Sequence, residues 1–258
     1  MSHHTPLKKP QPAALQLNAA GLQSRELNAH LKQAADDGVD RIVLHGVCGQ
    51  RYIGTDINRN LEIEIHGTPG NDLGSFMNGP RITVYGNAQD GCGNTMNEGE
   101  IVVHGHAGDI TGLSARGGRI FIRDGVGYRA GIHMKEYRDK KPVLVIGGSA
   151  QDFCGEYMAG GVMVLLGLHM KETDYHRARY LGTGMHGGVI YLRGRVEQHQ
   201  LGKEVGIAEL EAKDENVLNA LVNEFADYFD LDAEKILRHK FIKLFPLYHR
   251  PYGRLYAY

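Results

Sequence analysis

The sequence is short of several residue types, and each shortage excludes a class of protein. It contains no tryptophan, 3 cysteines and 8 prolines among 258 residues. An odd number of cysteines in a long chain argues against a disulfide framework, and so few prolines exclude a collagen-like chain. The net charge of −1 offers no basic surface for nucleic acid.

Long hydrophobic runs are also missing. No apolar stretch approaches the roughly 20 residues that a membrane-spanning helix needs. Residues 1–20 are polar and lack the apolar core of a signal peptide. We therefore expect a cytoplasmic protein whose partners include neither a membrane nor a nucleic acid.

Glycine, by contrast, is abundant, with 35 residues, and it recurs in a repeat. Short segments of alternating apolar residues each end in glycine at intervals of 19 to 22 residues, with a last interval of 27. These terminal glycines are Gly46, Gly67, Gly86, Gly105, Gly125, Gly147, Gly167 and Gly194. A second row of glycines is followed three residues later by methionine in five of six units. That row of side chains reads Met77, Met96, Ala115, Met134, Met158 and Met185.

A unit of about 19 residues cannot bury its own apolar face, but a stack of such units can. Like residues then lie over like residues at the strand spacing of about 4.8 Å. The pattern predicts a parallel β-helix of seven to eight rungs. An antiparallel sandwich is the alternative, although it does not explain methionine at one repeat position. The expected inward ladder comprises Leu44, Ile65, Val84, Val103, Ile122, Val145 and Leu192.

The flanks differ from the repeat, so we divide the chain into three parts. Residues 1–40 form a polar segment and a capping helix that is expected over 24–37, with Ser24 as its N-cap. Residues 41–200 form the repeat domain. Residues 201–258 carry helices expected over 214–229 and from 232 to about 239, and then an aromatic and basic tail. The helices are expected to cover the open ends of the stack.

Most candidate sites for chemistry have a simpler structural interpretation. Cys92 and Cys154 share a small, apolar position of the repeat, which favours core packing. Residues 182–187 match G-x-G-x-x-G, but a strand rather than a helix follows, so a dinucleotide site is not expected. His45, His66 and His104 share one outward column, which is either an exposed polar ladder at a partner interface or a metal site of an autonomous enzyme.

Two further features suggest a partner surface. The outward row beside the histidines reads Val43, Glu64, Thr83, Val102, Phe121, Leu144 and Tyr191. Its apolar part, Val102, Phe121 and Leu144, needs cover from a helix or another protein. The tail either contacts a partner or folds back along its own chain. Its candidate contact residues are Tyr248, Arg250, Tyr252, Arg254 and Tyr256.

The repeat unit, Gly-x-x-Met-x-x-Gly followed by Ile-x-Val-x-Gly, resembles the glycine-repeat (GXGXG) domain of the glutamate synthase large subunit. That domain is related to the glycine-repeat subunits of formylmethanofuran dehydrogenase and of the bacterial formyltransferase/hydrolase complex. The resemblance covers about residues 41–195, and it is most marked over 86–105. The tail FIKLFPLYHRPYGRLYAY is similar to that of stand-alone glutamate-synthase-type versions.

This resemblance implies a right-handed parallel β-helix with no catalytic, cofactor-binding or metal-binding residue of its own. Separate glutaminase and flavoprotein synthase subunits would carry the nucleophilic cysteine, the FMN and the iron–sulfur cluster. The chain would brace them in a glutamate synthase-type oxidoreductase that forms glutamate from glutamine. A formyl-transfer scaffold, an N-methylglutamate synthase subunit and a homo-oligomer remain open.

Overall fold

The computed structural model describes residues 14–171 and 173–248, and its main element is a sheet of eleven strands. Nine strands pair in parallel and in chain order: β1 (Leu15–Asn18), β2 (Arg41–Cys48), β3 (Glu62–Thr68), β4 (Asn78–Tyr85), β5 (Glu98–Val103), β6 (Arg119–Ile122), β7 (Val143–Ile146), β8 (Ala159–Leu165) and β9 (Gly187–Arg193). The two remaining strands, β10 (Val205–Ala208) and β11 (Phe241–Pro246), close the stack in antiparallel fashion, with β11 between β9 and β10.

This parallel β-solenoid confirms the predicted fold class. It makes about six regular turns, slightly fewer than the seven to eight rungs expected.

The strand register builds the predicted ladders in the interior. Five members of the predicted ladder lie opposite one another on successive strands and are all buried: Leu44, Ile65, Val84, Val103 and Ile122. A second buried ladder, which was not predicted from the sequence, comprises Ile42, Ile63, Ile82, Ile101 and Ile120. The methionine row is buried as well, together with Ala115. The apolar side chains of each turn are therefore covered by the equivalent side chains of the turns above and below.

The seventh strand corrects one prediction. β7 places Leu144 opposite Ile120 and Val145 opposite Phe121. Leu144 therefore lies in the interior rather than on the outer face, and Val145 lies on the outer face rather than in the interior ladder. In the turns of β2 to β5 a histidine or tyrosine stands between the last inward residue and the glycine, whereas Gly147 follows β7 directly. Assigning the faces of β7 by distance from its glycine therefore places each residue one position out of register. A shift of one residue exchanges the two faces of a strand.

Each corner of the coil contains a residue with left-handed backbone geometry. Six equivalent glycines have φ between 65° and 74°: Gly74, Gly93, Gly112, Gly131, Gly155 and Gly182. At Gly93 a Cβ atom would also lie 2.3 Å from Cδ1 of Ile120 on the adjacent strand. Glycine meets both demands there, because it tolerates positive φ and permits close approach.

Three α-helices flank the stack: α1 (Ser24–Asp36), α2 (Ala212–Phe229) and α3 (Ala233–Leu237). All three lie where the sequence predicts helices. Ser24, however, is the first helical residue rather than the N-cap, and its Oγ accepts a hydrogen bond from the backbone N–H of Arg51 at 3.0 Å. None of the described helices has the length and apolar character needed to cross a membrane.

Helix α2 covers the outer apolar row of the sheet. Val102 and Phe121 are buried against a cluster that includes Leu218, Val222 and Phe225 of α2. These two residues were candidates for a partner interface, and the structure corrects that prediction because the chain's own helix occupies the surface. The apolar outer row is thus a second core, between sheet and helix.

Removing a ladder side chain should destabilise the protein strongly. Ile122→Ala, or Val103→Ala in the same ladder, should lower the free energy of unfolding by about 2–5 kcal/mol, because each leaves a cavity between packed turns. Urea unfolding followed by circular dichroism measures the change. Thr83→Ala on the outer face is the control, with an expected loss below about 1 kcal/mol. Equal losses for ladder and control variants would contradict the assignment of the strand faces.

A matched glycine pair separates backbone strain from steric conflict. Gly49 has φ of 80° with no atom within 4 Å of an added Cβ, whereas Gly93 has both positive φ and the close contact with Ile120. Gly49→Ala should cost about 1–2 kcal/mol from the left-handed backbone alone. Gly93→Ala should cost distinctly more in the same unfolding measurement, and a similar loss for both would show that the corner has room for a side chain.

Candidate functional site

A continuous stack of four rings runs along the outer face of the first turns. His45, His66, Tyr85 and His104 follow one another on neighbouring strands, and their ring centroids are 5.0, 5.0 and 4.9 Å apart. The interplanar angles of 10°, 14° and 26° make this a face-to-face stack. The outward orientation predicted for the histidine column is therefore seen, with Tyr85 as an integral member.

Two histidines of the stack each have a protein partner at one ring nitrogen. Nε2 of His45 lies 2.9 Å from Oε1 of Gln16, and Nε2 of His66 lies 2.9 Å from Oε1 of Glu64. Burial raises the pKa of Glu64, but hydrogen bonds from Arg41 and His66 outweigh it and hold that pKa below its ordinary value. Parallel rings direct their faces, not their nitrogen lone pairs, at each other, which disfavours a shared metal ion.

No group of three or more His, Cys, Asp or Glu side chains in the described part of the chain is close enough to hold a metal ion. A metal on the histidine column would therefore need ligands from elsewhere.

The stack ends against the last residues of α2. The ring of Phe229 meets His104 edge-on at 5.1 Å. One residue earlier, the Tyr228 hydroxyl donates a hydrogen bond to Glu100 at 2.8 Å, and the Arg81 guanidinium lies 5.3 Å from the Tyr228 ring centroid. Helix α2 ends at this point, where its C-cap residue Asp230 has left-handed backbone geometry. The rings of His45, His66 and Tyr85 therefore lie beyond the helix and stay at least partly accessible.

An open cleft of about 790 Å³ lies beside the stack, across the next three turns. Its charged wall is an ion pair in which Nε and Nη2 of Arg123 donate to the two carboxylate oxygens of Asp124, at 3.1 and 3.0 Å. These bonds lower the pKa of Asp124. Gly147 occupies the same row as the stacked rings but has no side chain. A Cβ atom at this position would lie 2.6 Å from Cζ of Phe225 in α2, so glycine leaves room for the helix.

Sequence reasoning missed this cleft, although the repeat contains a signal for it. Asp124 takes the place of a glycine in its row, and Gly147 takes the place of a ring. Such departures from the repeat occur at the turns that line the cleft.

The cleft also contains a serine–histidine pair. Oγ of Ser149 lies 3.1 Å from Nε2 of His169. A nucleophile and base of this kind need a third group that orients the imidazole. No carboxylate in the described ranges lies within hydrogen-bond distance of His169. The pair thus has two of the three groups that nucleophilic catalysis uses.

The cysteines take the positions that the sequence predicts for packing. Cys92 and Cys154 are fully buried, and burial raises the pKa of each thiol to about 12. Sγ of Cys154 contacts Sδ of Met163 at 3.2 Å. A thiol with so high a pKa is a poor nucleophile at neutral pH, so both residues belong to the core.

The candidate residues of the tail are only partly placed. Tyr248, just after β11, is strongly exposed. Arg250, Tyr252, Arg254 and Tyr256 lie outside the described residues.

Comparison with known proteins gives three findings. A family model described as "GXGXG motif" matches residues 25–248. The uncharacterized protein MJ1350 of Methanocaldococcus jannaschii is 48% identical over 249 residues, which cover 93% of this chain and 95% of that protein. Among solved structures, a chain of the formyltransferase/hydrolase complex FhcABCD from Methylorubrum extorquens, solved with methylofuran, aligns with a TM-score of 0.53 at 17% identity. The alignment covers 90% of this chain and 89% of that chain.

His104, at the end of the ring stack that Phe229 covers, makes the stability of the protein depend on pH. Burial, aided by the charge of Arg123, lowers the pKa of His104 below its ordinary value of 6.5. The unfolded chain therefore binds a proton first as the pH falls, and the folded state loses stability below about pH 6.5. His104→Phe keeps a ring in the stack and removes the titrating group. This variant should lose less stability than the parent between about pH 7.5 and 5.5.

Unfolding in urea at both pH values measures this difference. Tyr85→Phe, in the same stack, is the control and should retain the parent's pH dependence. Identical pH dependence in the parent and His104→Phe would contradict the assigned role of His104.

Proposed function

Because the chain belongs to the GXGXG family, we propose that it is a non-catalytic structural subunit of a glutamate synthase-type complex. In this role it braces separate glutaminase and flavin/iron–sulfur synthase subunits while they form glutamate from glutamine. The observation that carries the proposal is the contrast between a filled interior and an accessible, ordered outer face.

Buried apolar side chains fill the interior of the described coil. Ladders of isoleucine, valine, leucine and methionine occupy the space between successive turns, and the side chains are buried. Binding functions of such a solenoid are therefore expected on its outer surface, as in other repeat proteins.

The ring stack is the candidate contact with a partner subunit. His45, His66 and Tyr85 present aligned ring edges on a rigid sheet, and aromatic side chains are enriched at the centres of protein interfaces. Arg41, paired with Glu64 at 3.0 Å, lies beside them and supplies a polar rim. A flat, rigid surface of this kind binds a folded partner without loss of its own conformational freedom.

The choice of a glutamate synthase-type complex rests on the repeat unit and the tail. The repeat unit resembles the glycine-repeat domain of the glutamate synthase large subunit, and the sequence of residues 241–258 is similar to the tail of stand-alone glutamate-synthase-type versions. A related N-methylglutamate synthase would use the same scaffold with a different acceptor.

The second candidate is a scaffold of a formyl-transfer complex, similar to the glycine-repeat component of formylmethanofuran dehydrogenase. The fold match to a chain of the formyltransferase/hydrolase complex, which spans nine-tenths of both chains, favours this alternative. At 17% identity the match concerns the fold, and the function has to be decided by the partners.

Affinity purification of the tagged full chain from its own cells distinguishes these functions. We expect a flavoprotein and a glutaminase to co-purify, and the eluate to form glutamate in a glutamine-dependent manner. Amidohydrolase-like or molybdopterin-containing partners would instead support the formyl-transfer scaffold. A chain that always elutes alone would overturn both.

A variant pair tests the ring stack within the same experiment. His66→Asp introduces a carboxylate beside Glu64, and it should reduce recovery of the partner subunits by breaking the stack. His199→Asp, at an exposed position on the 3-10 turn Gln198–Gln200, is the matched control and should leave recovery unchanged. Equal recovery with both variants would place the contact surface elsewhere.

A further inference from the structure

Large exposed side chains gather at one corner of the coil. Each turn has left-handed backbone geometry at three alternate positions, of which the central one is the buried corner glycine. The first positions are Tyr52, Asp72, Gly91, Ile110, Arg129, Phe153 and Tyr180. The third positions are Asp56, Phe76, Thr95, Ser114, His133, Tyr157 and Gly184. In the turns that follow β6, β7 and β8, rings and an arginine occupy most of these positions.

These side chains form two parallel rows. In one, the Arg129 guanidinium lies 4.8 Å from the Phe153 ring centroid, and Phe153 stacks on Tyr180 at 4.7 Å and 13°. In the other, His133 stacks on Tyr157 at 5.3 Å and 11°. We call these five residues the aromatic corner.

The aromatic corner is costly to the fold in two ways. A bulky side chain with positive φ is a backbone outlier, and Tyr157 and Tyr180 also leave large apolar surfaces exposed. Neighbouring turns show that the corner does not require such residues, since Gly91, Ser114 and Gly184 occupy equivalent positions. Tyr52 and Phe76 are equally exposed at equivalent positions of earlier turns. Among the described residues at these positions, however, only those of the aromatic corner stack into continuous rows, and such rows offer an extended surface for contact with another segment.

The chain leaves the described structure next to this surface. After β11, the backbone N–H of Leu247 donates to the carbonyl of Glu204 at 2.8 Å. The Glu204 carboxylate in turn accepts from the N–H of Gly184 at 3.2 Å. The Tyr157 ring lies directly against Gly184, where a Cβ would approach Cδ1 of Tyr157 to 2.4 Å. Residue 248 is thus within reach of the aromatic corner.

The sequence that follows is suited to this surface. Residues 249–258 read HRPYGRLYAY, with two arginines, three tyrosines and no acidic residue. Ten extended residues span at most about 33–36 Å, whereas the turns of Arg129 and Tyr180 are two strand spacings of about 4.8 Å apart. Tyrosine rings and arginine guanidiniums both stack on aromatic faces, and Glu204 supplies a carboxylate beside the point of departure.

We propose that residues 249–258 dock along the aromatic corner of their own chain and cover Tyr157 and Tyr180. The docked segment would shield the rings that the corner leaves exposed. A second copy of the chain and a partner subunit are the other occupants that the test must distinguish.

Hydroxyl-radical footprinting of the full chain, read by mass spectrometry, tests the proposal. The exposed fractions of Tyr52, Tyr157 and Tyr180 are similar, at 49%, 43% and 49%. Without a docked segment these three rings should therefore be modified at similar rates. With residues 249–258 docked, Tyr157 and Tyr180 should be modified several-fold more slowly than Tyr52, which serves as the internal control in the same sample.

A full-length variant with Arg250→Ser, Tyr252→Ser, Arg254→Ser and Tyr256→Ser removes the proposed contacts without altering the described core. In this variant the rates for Tyr157 and Tyr180 should rise to that of Tyr52. If the three rings of the parent are modified at similar rates, the proposal is overturned, whatever the variant shows. Protection that disappears on dilution would overturn it too, because it would assign the cover to a second copy.

Discussion

Left-handed backbone geometry at the corner of every turn is the constraint on which this structure depends. A coil with units of about 19 residues must reverse direction within a few residues, and alternating left-handed positions achieve that. The central position also faces the isoleucine ladder, so close that at Gly93 only a hydrogen atom fits against Ile120. Glycine therefore permits both the turn and the close packing of the isoleucine ladder against it. The isoleucine and methionine ladders stack because backbone pairing repeats the strand spacing of about 4.8 Å from turn to turn.

The same repetition creates a face that the coil cannot bury. Strand alternation turns one side chain inward and the next outward, so an apolar outer row such as Val102 and Phe121 needs a separate cover. Helix α2 provides it with Phe225, and Gly147 provides the space for that ring. Where α2 ends, the outer row becomes polar and the ring stack begins. The position of one helix terminus thus separates the second core from the accessible surface.

Much of the fold could be predicted because its signals are periodic. The strands, the inward ladders up to Ile122 and the methionine row all follow from intervals between glycines. The assignment failed at β7, where the number of residues between core and glycine changes and Leu144 exchanges faces with Val145. It also missed β1, β10 and β11, whose pairing is not part of the repeat. The cover over Phe121 could not be assigned to α2, because contacts between distant segments leave no interval in the sequence.

The candidate surfaces share a property that follows from this periodicity. A repeat position that serves only the fold can take the same kind of residue in every turn, as the corner glycines do. A functional residue has to depart from the pattern at one place. Asp124 in a row of glycines is such a departure. Positions where the repeat is locally costly are therefore the best guide to recognition in a solenoid whose regular positions are fully used for packing.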